Sequence, residues 1–255
     1  MIKVNYRLVY HSEEYFQDGT EVKMVATHFE PSEARRMFPC FDEPDLKATF
    51  DISLTVPNDP SLAILSNMPE IGRSPNSINP NFIDVSFERT PQMSTYLLAI
   101  TVGEMDHVEG QTSTGTQVRV FTPKTKGNHG IFARDYAIRC IEFYNNFFGL
   151  PYPLPKSDQI SIPDFAMGAM ENWGLILYRE AFLLITKDST LDAKRGTMTI
   201  VAHELAHQWF GNLVTMYWWS DIWLNEGFAE FMMYYTVKQL SPEVSSHTEI
   251  RYDIN

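Results

Sequence analysis

The sequence predicts an α+β fold in two parts: an antiparallel β-sandwich or saddle over residues 1–104 and a mixed helix-and-strand part over residues 105–255. Three observations predict it. Apolar residues alternate with a period of two through the first part, as they do in a sheet with one buried face. After Glu104 the period lengthens to that of an amphipathic helix. Two further helical runs near the end are separated by Gly211 and closed by Pro242, residues that commonly stand where helices stop.

Taken in order, residues 1–10 (MIKVNYRLVY) alternate like a strand. Residues 49–56 put Phe50, Ile52, Leu54 and Val56 on one face and Thr49, Asp51, Ser53 and Thr55 on the other. Residues 82–89 repeat the pattern through Ile83, Val85 and Phe87. Residues 95–102 are almost continuously apolar, which predicts a strand buried on both faces. Turn-rich stretches at 57–60 and 72–80 separate these runs. In the second part, residues 117–122 read as a strand and residues 131–148 as a helix. Its predicted apolar stripe is Phe132, Tyr136, Cys140, Phe143 and Phe147, with Gly149 at its end. Residues 151–155 (PYPLP) break the chain, and strands are predicted around Ile160–Ile162 and at residues 175–178. Residues 197–210 carry helical spacing at Met198, Val201, Leu205 and Phe210; residues 222–240 form the next helix. The turns in between let the two helices lie against each other.

Composition narrows the function classes. The chain has 255 residues and is 44% hydrophobic, enough for one large or two modest cores. A net charge of −12 argues against nucleic acid as a partner and is compatible with cationic ligands such as a peptide amino terminus. No apolar run reaches the roughly 18 residues of a membrane span, and the first residues lack the apolar core of a signal peptide. Cys40 and Cys140 are too far apart in sequence to read as a disulfide framework, and no N-x-[ST] sequon occurs. Together these features predict a reducing, cytoplasmic location.

The chemistry concentrates at His203-Glu204-Leu205-Ala206-His207, followed by Glu226, an H-E-x-x-H-x18-E pattern. On a helix, residues i and i+4 lie about 40° apart, so His203 and His207 can present two imidazole nitrogens to one ion. Glu226 on the next helix supplies a third ligand and leaves a fourth position open, as in a catalytic zinc site. Glu204 lies beside the ion, where it can serve as proton acceptor for a water. The cofactor predicted is one zinc per chain.

A second motif, Gly168-Ala169-Met170-Glu171-Asn172, lies between two predicted strands. With the zinc motif, it resembles the GAMEN signature of the gluzincin aminopeptidases, and residues 27–50, 93–100 and 201–227 are similar to that family as well. The wording at residues 63–68 and 118–123 is most similar to its puromycin-sensitive, cytosolic branch. The resemblance implies a thermolysin-like catalytic domain starting near Met105, preceded by part of a β domain of saddle or sandwich type. It implies a zinc metallo-aminopeptidase that removes single N-terminal residues, with a free-amine peptide as partner. It assigns His203, His207 and Glu226 to the metal, Glu204 as general base, and Glu171 and Glu30 to the substrate's α-amino group. Gly168, Ala169 and Met170 would line the peptide, with the Gly168 and Ala169 backbone running beside it like a strand. His28 stands where many relatives carry glutamine lining the first side-chain pocket, which leaves the preferred N-terminal residue open.

Two parts of the family pattern are not found in these 255 residues. One is a downstream tyrosine that stabilises the oxyanion; Tyr234, Tyr235 and Tyr252 are candidates by residue type alone. The other is a C-terminal helical domain, predicted to pack on this chain. An alternative therefore stands beside the enzyme: a fragment or paralogue that holds zinc and peptide amino termini without turnover. An endopeptidase and an epoxide hydrolase of the same superfamily are further alternatives. Glu30 and Glu171 oppose the first, and Ala169 and Glu30 the second.

Overall fold

The computed structural model describes residues 2–3, 12–17, 20–163 and 165–245. Its strands are β1 (Ile2–Lys3), β2 (Ser12–Gln17), β3 (Thr20–Ala26), β4 (Ile52–Pro57), β5 (Leu62–Ser66), β6 (Glu70–Pro75), β7 (Phe82–Phe87), β8 (Ile100–Gln111), β9 (Gln117–Pro123), β10 (Lys156–Ile162), β11 (Ala169–Met170) and β12 (Leu175–Arg179). Its helices are α1 (Ile131–Phe148), α2 (Glu180–Leu183), α3 (Leu191–His207), α4 (Trp223–Leu240) and α5 (Pro242–Ser245). The fold is mixed α+β, with the strands of the first part ahead of the helices. Of the strand read at residues 1–10, only Ile2–Lys3 falls within the described residues.

Two sheets organise the strands. The smaller runs β1-β4-β7-β6, and the larger runs β11-β12-β10-β9-β8-β3-β2 with β5 also on β8. Within the first part the pairs are antiparallel except the two-residue contact of β1 with β4. β10 pairs in parallel with both β9 and β12. Alternation is a reliable guide in β4, where Ile52, Leu54 and Val56 are buried and the residues between them are not. β8 spans the predicted 104/105 boundary: its first half pairs with β3 and β5 and its second half with β9. One apolar cluster runs through both parts, from Met24 to Val237.

Several sequence readings need correction. Residues 95–97 form a buried 3-10 turn rather than a strand, and the strand starts at Ile100. Burial on all sides removes the periodicity that would tell the two apart. The stretch read as turn-rich from Gly72 is strand β6 as far as Pro75, an edge strand exposed along its whole length. In α1 the buried face is Ala133, Tyr136, Ala137, Cys140, Ile141 and Tyr144, while Phe147 is 48% exposed. The predicted stripe is rotated from this face because it follows the large aromatic residues. The helix ends as predicted, on Gly149 in the left-handed conformation (φ 62°).

α3 starts six residues before the predicted position and ends at His207 instead of Phe210. Its first turn is capped by Thr190, whose hydroxyl accepts from the Ala193 amide at 3.1 Å, and Asp192 complements the helix dipole. Leu191–Gly196 is largely exposed, so no apolar spacing announces it. Among the described residues, no helix is long and apolar enough to cross a membrane.

Candidate metal centre and amine site

α3 carries His203 and His207 on its last turn, and α4 brings Glu226 to them from its first turn. The two Nε2 atoms are 2.9 Å apart, and Glu226 Oε2 lies 3.3 Å from His203 Nε2 and 3.4 Å from His207 Nε2. Donors bound to a tetrahedral zinc at about 2.0–2.1 Å sit roughly 3.3 Å from one another, so this triangle has the right size for one ion. The donor set, two imidazoles and one carboxylate, also suits zinc. The His207 side chain is 1% exposed, His203 20% and Glu226 47%, so the centre opens on the Glu226 side.

The second partner of His207 fixes its ring. Nδ1 lies 3.0 Å from the Phe210 carbonyl, which can only accept. Nδ1 therefore carries the proton, and Nε2 keeps its lone pair for an ion. The sharp turn that delivers this carbonyl depends on Gly211, at φ 121°. A Cβ there would lie 3.2 Å from Asn225 Nδ2 and 3.4 Å from His207 Nδ1.

Carboxylates crowd the open side. One oxygen each of Glu30, Glu171 and Glu226 falls within a single 4.8 Å group, so Glu226 belongs to both trios. Glu171 Oε1 and Glu204 Oε2 are buried with no hydrogen-bond partner among the described residues. Burial, then Glu171 and Glu226, push the Glu30 carboxyl up to about 8. Burial also pushes Glu204 far above the usual carboxylate range, with His207 partly offsetting it and the other three glutamates adding to it. Burial opposes the charge on Glu226 too, but the hydrogen bonds with His203 and His207 outweigh it and hold its carboxyl well below the usual range. Burial likewise opposes a charge on His207, yet Glu171, Glu226 and Glu204 together raise it to about 10. Such a cluster calls for cations. A dication and an ammonium group would neutralise three of the four carboxylates and leave one free to accept a proton.

The remaining candidates lie around this core. Ala169 and Met170 form β11 at the end of the large sheet, paired on one side with β12. Gly168 accepts from the Arg179 amide just before it. The outer edge of β11 can therefore receive an extended peptide. Met170 is 1% exposed, its side chain in the core. His28 is half-buried and meets Phe165 edge-on, with ring centroids 5.8 Å apart. Tyr235 packs on Phe147 and Phe231, and Tyr234 is half-buried against the core; Tyr252 lies outside the described residues.

The sequence reading misses the backing of the Glu171 loop. Gln208 and Asn212 both donate to the Glu171 carbonyl, at 3.0 and 2.8 Å. Asn67 donates to the Trp173 carbonyl at 2.9 Å, and Lys156 to those of Gly174 and Ser66 at 2.7 and 2.6 Å. Lys156 also pairs with Asp158 at 2.7 Å, and Arg119 grips the same carboxylate with two bonds. Tyr96 is missed as well. It is buried beside the site, its hydroxyl 3.5 Å from Asn225 Nδ2, and burial followed by the charges of Glu171, Glu30 and Glu226 raises its hydroxyl. Its place in an apolar run hides it. Gln208 and Asn212 are buried polar residues that no periodicity announces; only their amide side chains, so soon after the metal motif, mark them.

Comparison with known proteins identifies the family. Residues 2–97 match the Peptidase M1 N-terminal domain and residues 132–254 the Peptidase family M1 domain. The chain is 50% identical over 230 residues to Aminopeptidase M1 of Arabidopsis thaliana, covering 90% of this chain and 26% of that protein. It is 48% identical over 235 residues to the puromycin-sensitive aminopeptidase of Caenorhabditis elegans, covering 92% and 24% respectively. It is 48% identical over 229 residues to mouse endoplasmic reticulum aminopeptidase 1, covering 89% and 24%. The chain thus spans about a quarter of the length of these relatives. With both family domains matched in their order along the sequence, the chain belongs to the M1 peptidase family.

Proposed function

We propose that this chain carries the metal centre and the amine-recognition site of a zinc aminopeptidase that removes single residues from peptide amino termini. One observation carries the reading: a donor triangle with edges of 2.9–3.4 Å shares Glu226 with a second trio, Glu30, Glu171 and Glu226. A metal and an ammonium group held this close together select the first carbonyl of a chain with a free amino end.

His203, His207 and Glu226 would hold the ion. When bound, zinc supplies a Lewis acid that polarises a carbonyl and makes water easier to deprotonate. Glu204, buried with one oxygen unpartnered among the described residues, accepts the proton of the attacking water and returns it to the leaving amine. Glu171 and Glu30 pair with the substrate ammonium, and the outer edge of β11 aligns the peptide backbone. His28 borders the pocket for the first side chain. A further helical domain is proposed to cover the exposed aromatic face of α4, where Trp223, Phe228 and Phe231 are 63%, 46% and 56% exposed. A cytosolic location is supported by the free thiols of Cys40 and Cys140, although one of the relatives is named for the endoplasmic reticulum.

The test combines metal analysis with a pair of ligands. Purified chain should hold one zinc, lost in His203→Ala and His207→Ala. It should bind the phosphonic-acid analogue of leucine and discriminate against its N-acetylated form. Equal binding of the two would refute amine recognition.

A further inference from the structure

We propose that Gln208, backed by Asn212, is a positioning residue that fixes the Glu171 carboxylate at a set distance from the metal donors. Gln208 follows the ligand His207 directly and is fully buried. Its amide is used completely. Nε2 donates to the Glu171 carbonyl at 3.0 Å and to the Glu204 carbonyl at 3.2 Å. Oε1 accepts from the Gly174 amide at 3.2 Å and from the Tyr152 hydroxyl at 3.4 Å. One side chain therefore ties both ends of the 171–174 loop to the backbone of the helix that carries both imidazoles and Glu204.

The tie matters because it acts on the backbone that carries the Glu171 carboxylate. Its Oε1 is buried without a hydrogen-bond partner among the described residues, so the carboxylate is placed through its backbone. That backbone carbonyl takes two amide donors, from Gln208 and from Asn212 at 2.8 Å, on either side of the turn that follows the metal helix. On the far side, Asn67 holds the Trp173 carbonyl to the β-rich part, and Lys156 bridges the Gly174 carbonyl to that of Ser66 in the same part. The loop is suspended between the two parts, and Gln208 is the link that refers it to the metal. An apolar side chain of similar length would leave the buried Gly174 amide without this acceptor and remove one of the two donors to Glu171. The loop would be free to shift, and a displacement of about 1 Å at a positioning contact can cost on the order of 10²-fold in rate.

The inference rests on the aminopeptidase reading for the role of Glu171. It is tested on the zinc-loaded 255-residue chain by calorimetry with the phosphonic-acid analogue of leucine, free and N-acetylated, alongside zinc content and thermal unfolding. Gln208→Met should keep about one zinc and bind the acetylated analogue within about twofold of the unmodified chain. Its preference for the free amine should fall at least tenfold. Asn212→Ala removes the other donor to the same carbonyl and should lower the preference in the same direction, which keeps the test open if Gln208→Met does not fold. In a Glu171→Ala background, Gln208→Met should change the preference no further; a merely structural residue would show no such dependence. An unchanged preference in Gln208→Met, or parallel loss of zinc and of both ligands, overturns the inference. If the unmodified chain binds both analogues alike, the aminopeptidase reading falls and the inference with it.

Discussion

Gly211→Ala should damage the proposed metal centre without replacing any of its proposed ligands. Two effects add. The residue sits at φ 121°, outside the regions open to a side chain, and holding alanine there costs about 1–3 kcal/mol. The new Cβ would also lie 3.2 Å from Asn225 Nδ2 and 3.4 Å from His207 Nδ1. Contacts that tight must yield by a few tenths of an ångström, and the imidazole is held by its 3.0 Å bond to the Phe210 carbonyl. Disturbing such a supporting bond typically weakens metal affinity about 10–100-fold. Gly149→Ala is the control: its φ of 62° is also left-handed, but nothing lies within 4 Å of the added Cβ. Chelator competition should therefore separate the two variants, with Gly149→Ala near the unmodified affinity. Thermal unfolding should fall in both, by roughly 2–4 °C for each kcal/mol in a chain of this size. If Gly211→Ala binds zinc as tightly as Gly149→Ala does, the crowding argument is wrong.

Four further outcomes are expected. Glu204→Gln should retain zinc and, in a protein that turns peptides over, abolish nearly all turnover; zinc loss as complete as that of His207→Ala would give Glu204 another role. Lys156→Met should destabilise the fold by about 3 kcal/mol, because two carbonyls lose a buried donor while Asp158 keeps Arg119; denaturant titration measures it, and a neutral result would show the network relaxes. The metal-free chain should lose stability as pH rises from 5 to about 9. Glu30 and His207 both have raised folded values, so each contribution is full below its unfolded value (4.5 and 6.5) and is lost as pH climbs through about 8 and about 10 respectively. Denaturation curves across that range check the sign, and stability that rises instead would contradict it. Phe231→Glu should reduce hydrophobic-dye binding by the isolated chain with little change in unfolding temperature, since that side chain is 56% exposed.

The proposed metal ligands are legible because a helix converts spacing directly into direction: His203 and His207 have to share a face. Strand β4 is legible for the parallel reason, its buried and exposed residues alternating one by one. Legibility fails where burial and polarity part company. All seven residues of β10 are buried, Lys156, Ser157, Asp158 and Gln159 among them, so half of that strand looks like loop. The exposed first turns of α3 fail in the opposite way, offering no apolar face to read. Glu30 can be placed in the site only through family resemblance, since its closeness to Glu171 depends on long-range packing that local spacing does not record. Gln208 and Asn67 are invisible as functional residues because their work is done through backbone carbonyls far away in sequence.

Strand β8 has a practical consequence. Its twelve residues are shared between neighbours from both parts, β3 and β5 at one end and β9 at the other. A chain divided after Glu104 would be cut in the middle of that strand. The earlier piece would keep the pairings with β3 and β5 and the later piece those with β9, but the continuous strand that carries both sets of pairings would be broken. Neither half is therefore a natural unit for expression, and an insertion that lengthens β8 would shift the part that carries Glu30 relative to the helix that carries His203 and His207.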